Sequence, residues 1–482
     1  MSHPTGFIDT GQLKKLSQIA LGALCVLFIG AIVFYKERVF FADASYILFN
    51  ILNSKSFCIQ EHRYGSFITQ MVPYFGQKWR LPLKAIIVGY AISFNLFYLI
   101  VAAILYRCRQ YALAIVMGLY YFLFVSASYF WTNNEIHQAV AWMFLLFGVT
   151  AYLGVKKVNT LVIVVTFTLL AFLTIFTHFV VIIPTVFLWI YFLTEKDNWS
   201  FSAGMNILFS VILIIVIGIK YTLTVRDSYD WSNLHGVTHF SLKDIYYSMK
   251  SPVITMFIYR CITNYWAGII LFALGIVALF KEKKIKLAIW TLASFIGYFI
   301  IMGLTYGGFD RSFALFHVES EWAGICIIIA TPFVFTYLPK QKFQFATGLL
   351  ISVFLVRLIY IGGTLQTFAW RTYFKEQVLT EMKKKGITKV GLINDNYLLS
   401  KNMLYWALPE ESMLMSAMNG DKPQLTFLFV NKDNKELISK LSTATCIAVS
   451  FGIAQPRDLN REYFAIDTTH PYQIMNYEEL LK

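Results

Sequence analysis

Apolar residues recur in runs of about twenty over the first 362 residues of this 482-residue chain, with short polar segments between them. A helix of that length spans the hydrocarbon core of a bilayer. The stretch 158–194 fits either two short helices that meet near His178 or one long helix broken near Pro184. The pattern predicts about eleven transmembrane helices, at residues 17–35, 85–106, 111–131, 136–155, 158–176, 179–194, 203–224, 262–280, 287–305, 322–338 and 343–362.

The pattern changes after residue 362. Short apolar runs alternate with helical patterns across residues 363–482, which predicts a small α/β domain with a largely parallel sheet. We find no Gly-rich phosphate loop in this part of the sequence. The helices of this domain are predicted at Arg371–Lys385 and Lys435–Leu441. Its strands are predicted at Thr388–Ile393, Leu425–Val430, Thr445–Ser450 and, as a candidate fourth, Tyr463–Asp467.

The composition agrees with a membrane protein, because 57% of the residues are hydrophobic and only 14% are charged, whereas soluble domains carry about 25% charged residues. A net charge of +14 would suggest nucleic acid in a soluble protein. Here the basic residues sit in short loops, so membrane topology explains the charge and we expect no nucleic-acid partner. The six cysteines show neither a CxxC pair nor a zinc-ligand spacing, so no disulfide framework is indicated.

Alternate loops obey the positive-inside rule, which predicts a cytoplasmic N-terminus, an odd number of helices and an extracytoplasmic C-terminal domain. Three long segments then fall on the outer side, at residues 36–84, 225–261 and 306–321, so we expect the functional surface to face outward. The one Asn-x-Ser/Thr sequon begins at Asn198, on the inner side. Its absence from the outer face favours a bacterial inner (plasma) membrane.

Asp43 lies just beyond the outer end of the first predicted helix. Residues 43–52 carry apolar side chains at helical spacing, which predicts a short helix lying along the outer membrane surface. A carboxylate held there is well placed to act on a lipid headgroup. The alternative is that Asp43 only caps the N-terminus of this helix.

The same outer segment continues with Glu61-His62-Arg63 and then with Gln70 and Pro73. The guanidinium group of an arginine can bind a phosphate through two parallel hydrogen bonds, so Arg63 is a candidate for that contact, with Glu61 beside it. The alternative is a solvated turn.

This arrangement resembles the GT-C superfamily of membrane glycosyltransferases, which take sugars from polyprenyl-phosphate donors. The likeness lies in the long outer segment that opens with Asp43, in the stretch from Arg63 to Pro73, and in the far-side C-terminal domain. In that superfamily an acidic residue of this segment is the catalytic base, and the resemblance implies that role for Asp43. Many members carry two adjacent acids, whereas Ala44 follows Asp43 here, so the use of a divalent metal stays open. The resemblance implies no other cofactor.

Further polar residues fall between predicted helices on the outer side. Glu135 and His137 follow Trp131 in the loop between the third and fourth helices and are candidates for acceptor or phosphate contacts. His178 falls at the predicted outer turn within 158–194. Members of the GT-C superfamily often carry a histidine in a comparable place. The alternative for Glu135 and His137 is that they belong to an ordinary polar loop between helices. The alternative for His178 is that it is only an interfacial histidine.

The third outer segment mixes acids, a base and a titratable imidazole. Arg311 is a candidate to hold the donor phosphate, and Glu319 or Glu321 to orient a sugar hydroxyl. A simple surface pair of Asp310 with Arg311 is the alternative. The substrate-binding candidates of this segment are Asp310, Arg311, His317 and Glu319.

Two arginines belong to predicted helices. Arg260 is at the outer start of the eighth helix and is a third candidate for the donor phosphate. Arg357 lies inside the last helix, one to two turns from its outer end, and we expect its side chain to snorkel towards the surface.

The sequence thus favours an inverting glycosyltransferase whose partners are a polyprenyl-phosphate-linked sugar donor, an extracytoplasmic glycan, lipid or protein acceptor, and the bilayer. Asp43 would deprotonate the acceptor hydroxyl as it attacks the anomeric carbon. The C-terminal domain would bind or orient the acceptor, or a partner protein. Two other functions stay open, a polysaccharide polymerase or ligase and a transporter or flippase of lipid-linked sugars.

Overall fold

Helices make up most of the chain, and a small sheet region follows near the C-terminus. The computed structural model describes residues 10–195, 199–225, 231–232, 236–308, 319–395, 398–399, 402, 404–443 and 445–482. The α-helices of the first 384 residues are α1 (Thr10–Val33), α2 (Tyr35–Val39), α3 (Ala42–Ser54), α4 (Phe67–Lys78), α5 (Leu83–Arg107), α6 (Tyr111–Leu123), α7 (Glu135–Val155), α8 (Thr160–Ile175), α9 (Ile182–Thr194), α10 (Ala203–Thr224), α11 (Leu242–Ser248), α12 (Pro252–Thr263), α13 (Trp266–Lys281), α14 (Ile285–Tyr306), α15 (Ile325–Pro332) and α16 (Phe343–Lys384).

Seven helical segments within the described ranges are long and apolar enough to cross a bilayer, which indicates a multi-pass membrane protein. Helices α12 and α13 form an eighth candidate if the two, bent by 87°, are one span. The predicted number of about eleven is not confirmed, because α6, α8 and the segment Phe179–Thr194 are shorter apolar helices. The seven segments are Thr10–Val33, Leu83–Arg107, Glu135–Val155, Ala203–Thr224, Ile285–Tyr306, Glu321–Lys340 and Phe343–Lys384.

The C-terminal domain contains a three-stranded parallel sheet in the order β2-β1-β5. Strands β3 and β4 form a separate antiparallel pair. The predicted fourth strand at Tyr463–Asp467 is wrong, since the described backbone there makes only a single bridge, from Ile466 to Gln424. The elements are β1 (Lys389–Ile393), α17 (Leu408–Met418), β2 (Thr426–Val430), α18 (Lys435–Thr443), β3 (Ile447–Val449), β4 (Gly452–Ala454), β5 (Gln473–Met475) and α19 (Tyr477–Leu481).

Helix α16 joins the membrane bundle to this domain without a break. Its 42 residues make a rod roughly 63 Å long, at about 1.5 Å per residue. The boundary predicted between residues 362 and 363 falls inside this helix. The helix predicted at Arg371–Lys385 is therefore the far end of the last apolar segment.

Helix α3 lies between the bundle and the C-terminal domain. Its predicted helical structure is confirmed, but protein covers much of its surface, and eight of its 13 residues are buried. Asn460 donates hydrogen bonds to Leu52 O, from Nδ2 at 2.7 Å, and to Asn53 Oδ1, from its backbone N–H at 2.8 Å. The rings of Phe49 and Phe464 pack 4.9 Å apart. Helix α3, which the sequence predicted to lie on the membrane surface, is thus held by contacts with the C-terminal domain.

Candidate active site

Asp43 lies in the first turn of α3, whose N-terminus is capped from outside. The residue before the helix, Phe41, provides no side-chain cap. Instead Glu411, from α17, accepts a hydrogen bond from the backbone N–H of Ala42 at 2.8 Å. Ala42 has a φ of 41°, a strained value that non-glycine residues adopt mainly where the surrounding structure enforces it. Glu411 therefore performs the capping that was the alternative explanation for Asp43.

The carboxyl group of Asp43 is set up to hold a proton near neutral pH. Burial and the negative charge of Glu135 raise its pKa to about 7, against the lowering effect of Arg63. The residue keeps partial solvent exposure. A carboxylate with this pKa can accept a proton and release it again at physiological pH, which is the property of a general base.

Arg63 and Glu135 form an ion pair beside Asp43. Arg63 Nη1 lies 3.4 Å from Glu135 Oε2, and the two side chains are only 12% and 15% exposed. Asn133 Nδ2 donates to Glu135 Oε1 at 3.2 Å. The structure thus brings together the predicted residues Asp43, Arg63 and Glu135. More than ninety positions of sequence separate the first of them from the last.

The loop that carries Arg63 is strained and anchored. Glu61 and His62, which precede it, have φ values of 50° and 56°. Lys220, which is 1% exposed near the end of α10, donates from Nζ to the backbone oxygen of Glu61 at 2.8 Å. Lys220 is not among the site residues predicted from the sequence. A single lysine inside an apolar span is a functional signal in its own right and would have identified it.

His178 lies within the electrostatic influence of Arg63 and Lys220. It sits between α8 and the 3-10 turn Phe179–Val181, where its Nδ1 accepts the backbone N–H of Val180 at 3.2 Å. Burial, together with the charges of Arg63 and Lys220, lowers the pKa of His178 well below its usual value. The imidazole is therefore neutral at physiological pH and can only form hydrogen bonds there, without adding charge.

His137 points into the bundle. Its Nδ1 lies 2.9 Å from the Tyr120 hydroxyl, and its backbone oxygen accepts from Tyr121 at 2.7 Å. It lines a cavity of about 20 Å³ that Arg38 also lines, which is the space of a single water molecule. These side-chain and backbone contacts join His137 to helix α6, and its role as a substrate contact remains a prediction.

Glu319 and Arg260 belong to a second polar group. Glu319 Oε2 accepts the backbone N–H groups of Ser126 and Ser128 at 2.7 and 2.8 Å, and its Oε1 accepts the Tyr265 hydroxyl at 2.6 Å. Arg260 is partly exposed on α12 and acts electrostatically on Tyr265. Both carboxylate oxygens of Glu319 therefore already bind protein, which favours a structural role over contact with a sugar.

Arg357 does not snorkel to a surface. Its side chain is completely buried and donates to the backbone oxygens of Phe122, Val125 and Asn264. Phe122 lies in the last turn of α6, and Asn264 is at the break between α12 and α13. Arg357 thus satisfies carbonyl groups that helix ends leave without partners.

Asp310, Arg311 and His317 lie outside the described residues, so their predicted roles stay predictions. Among the described residues, no group of three or more His, Cys, Asp or Glu side chains is placed to hold a metal ion.

Asp43 and the residues linked to it through Arg63 combine three chemical functions. A carboxyl with a pKa near 7 can take up a proton, Arg63 and Lys220 supply positive charge, and His178 supplies a neutral imidazole. Such a set can deprotonate a hydroxyl and stabilise an anionic leaving group.

Comparison with protein-family models, curated proteins and solved structures finds no match to this chain.

Proposed function

We propose that this chain is a membrane glycosyltransferase that moves a sugar from a polyprenyl-phosphate donor to an extracytoplasmic acceptor with inversion of the anomeric centre. The observation that supports it most is Asp43, a partly exposed carboxyl with a pKa near 7 beside an arginine. It stands on the short helix α3, which α2 separates from the first apolar span. In this proposal the enzyme resides in a bacterial inner membrane with its C-terminal domain outside the cytoplasm.

The reaction proceeds by one displacement. The acceptor oxygen attacks the anomeric carbon from the face opposite the phosphate, and its proton passes to the Asp43 carboxylate. The bond between the anomeric carbon and the phosphate oxygen breaks, and polyprenyl phosphate leaves with the bonding electrons. Arg63 supplies positive charge to this leaving group, as arginine commonly does for phosphates. Glu135 holds Arg63 in place at 3.4 Å.

A transporter is the second candidate, and one observation favours it. Helices α12 and α13 meet at 87° around Asn264, and discontinuous helices of this kind form substrate sites in secondary transporters. However, Arg357 donates a hydrogen bond to the backbone oxygen of Asn264 at this break and packs against the ring of Tyr265. The Asp43 site lies elsewhere and carries a carboxyl suited to act as a general base, so we favour the transferase.

The test is a transfer assay in membranes supplied with radiolabelled polyprenyl-phosphate sugars. Wild type and Asp43→Asn are compared at equal expression, with Asp458→Asn, an exposed aspartate of the C-terminal domain, as the matched control. We expect wild type and the control to transfer label and Asp43→Asn to lose about 10²- to 10⁴-fold in rate. Transfer that survives in Asp43→Asn would remove Asp43 as the base. No transfer by wild type from any donor would reject the enzyme class.

A further inference from the structure

A cleft of about 570 Å³ opens in the C-terminal domain, within the range of about 300–1,000 Å³ typical of small-molecule sites. Helix α18, strand β2, the β3–β4 pair and the turn Tyr405–Ala407 form its walls. We call it the β2 cleft. Its aromatic residues are Tyr405, Trp406 and Phe429, and its polar side chains are Asn434, Glu436, Lys440 and Ser450.

The lining of the β2 cleft suits an uncharged sugar. A pyranose ring presents C–H groups on its faces, which pack against aromatic rings, and hydroxyl groups around its edge, which need donors and acceptors. Tyr405 and Trp406 supply the first kind of contact, and Asn434 supplies the second. The charges of Glu436 and Lys440 are paired at 3.2 Å, so the lining carries no net charge. A net charge of zero gives an anionic ligand no overall electrostatic advantage over a neutral one.

The β2 cleft is connected to Asp43 through aromatic contacts. The ring of Trp406 lies 5.8 Å from that of Tyr46, and Phe451 packs on both rings at 5.3 Å. Tyr46 is three residues after Asp43 on α3, and side chains at this spacing are about 5–6 Å apart on one helix face. The cleft wall at Trp406 is thus separated from the proposed base by one ring contact and one helical turn.

Two consecutive glutamates of α17 make this connection rigid. Glu410 accepts the backbone N–H of Ser450, in the cleft wall, at 2.7 Å. Glu411 accepts the backbone N–H of Ala42, at the start of the helix that carries Asp43, at 2.8 Å. Both glutamates are completely buried. A ligand held in the cleft therefore has a fixed position relative to Asp43.

We infer that the β2 cleft binds a neutral oligosaccharide and presents its terminal hydroxyl to Asp43 as the acceptor. This inference rests on the proposed function and specifies its acceptor. Binding in the cleft needs neither donor nor base, so the cleft and the transfer reaction can be tested separately.

The experiment measures binding to the full-length protein in lipid nanodiscs by saturation-transfer NMR and calorimetry. The probes are neutral trisaccharides of glucose, mannose and N-acetylglucosamine, with trigalacturonate as the anionic counterpart. Gly452→Phe is the blocking variant, because a side chain added at Gly452 meets no atom within 4 Å of its Cβ and projects from the cleft lining. Trp406→Ala removes the aromatic contact, and Trp79→Ala, a 69% exposed tryptophan elsewhere, is its control.

We expect at least one neutral trisaccharide to bind, with affinity falling at least tenfold in Gly452→Phe and Trp406→Ala and unchanged in Trp79→Ala. Absence of binding by every neutral probe, equal binding of trigalacturonate, or unaltered binding in Gly452→Phe would overturn the inference. If wild type transfers sugar while Gly452→Phe keeps the same KM for the acceptor, the cleft assignment fails and the transferase stands. Binding in the cleft without any transfer by wild type would instead reject the transferase alone.

Discussion

The backbone N–H of Ala42 donates to the carboxylate of Glu411 at 2.8 Å, across 369 residues of sequence. The same carboxylate pairs with Arg371 at 2.7 Å and with Lys375 at 2.6 Å. Both cations also donate to the backbone oxygen of Phe40. The C-terminal domain and the far end of α16 thus fix the first turn of the helix that carries Asp43, and the proposed base depends on the domain being docked.

Loss of the Glu411 charge should destabilise the whole molecule. In Glu411→Gln, Arg371 and Lys375 stay buried without the carboxylate that both contact, and breaking a buried pair in this way costs about 3–5 kcal/mol. We expect a lower melting temperature in nanodiscs and faster proteolysis of the C-terminal domain. Glu436→Gln, at an exposed glutamate paired with Lys440, should leave both unchanged. A melting temperature within one degree or so of wild type would show that this network contributes little.

The transfer rate should rise with pH and level off above about 7, because Asp43 must be deprotonated to act as the base. Glu135→Gln removes a negative charge that raises the pKa of Asp43, so the rising limb should move to lower pH. Arg63→Gln removes a positive charge that lowers this pKa, so the limb should move to higher pH. Single-turnover rates between pH 5 and 9 measure both shifts. Shifts in the same direction for the two variants would contradict this electrostatic account.

Asp43 should also make the folded protein less stable as pH rises. Its pKa rises from the ordinary value of 3.8 to about 7 in the folded state, so stability falls as pH rises between these values, by up to about 4 kcal/mol at 1.36 kcal/mol per unit of pKa. Asp43→Asn lacks this dependence. We expect its melting temperature to exceed that of wild type at pH 8 by more than at pH 4. A constant difference across this range would show that Asp43 is not perturbed in the folded state.

Arg357 should not be replaceable by lysine. Its guanidinium group reaches carbonyls of three different backbone positions at once, Phe122, Val125 and Asn264, whereas a lysine ammonium is a compact donor on a flexible stem. We expect Arg357→Lys to lower the melting temperature nearly as much as Arg357→Met, by an amount equivalent to about 2–4 kcal/mol for the carbonyls left without partners. If Arg357→Lys had wild-type stability, the positive charge of Arg357, and not the shape of its guanidinium group, would account for its contribution to stability.

Local patterns in the sequence predicted the parts of the fold that depend on nearby residues. The apolar runs located the helices, and the helical spacing after Asp43 located α3. The number of spans could not be predicted as well, because α6 has only 13 residues and a run of apolar residues does not show where a helix ends. Strand β5 has three residues, too few for an alternating pattern, so the sequence pointed to Tyr463–Asp467 instead.

The site could be predicted in part. Asp43, Arg63 and Glu135 were identified from chemistry and topology, and the structure places them together. The partners that hold them could not be identified, since Glu411 meets Ala42 and Lys220 meets Glu61 only after folding. The direction of a side chain could not be predicted either. The position of Arg357 in the sequence gave its depth in the helix but not the face on which its partners lie.

The uninterrupted helix α16 constrains how this chain can change length during evolution. One residue inserted between Phe343 and Arg371 would lengthen the rod by about 1.5 Å and rotate everything beyond it by about 100°. Glu411 would then face away from Ala42, and the β2 cleft would turn away from Asp43. The rotation along helix α16 thus sets the alignment of the two parts of the molecule that it joins. We therefore expect insertions and deletions to be excluded from this helix and tolerated in the loops of the C-terminal domain.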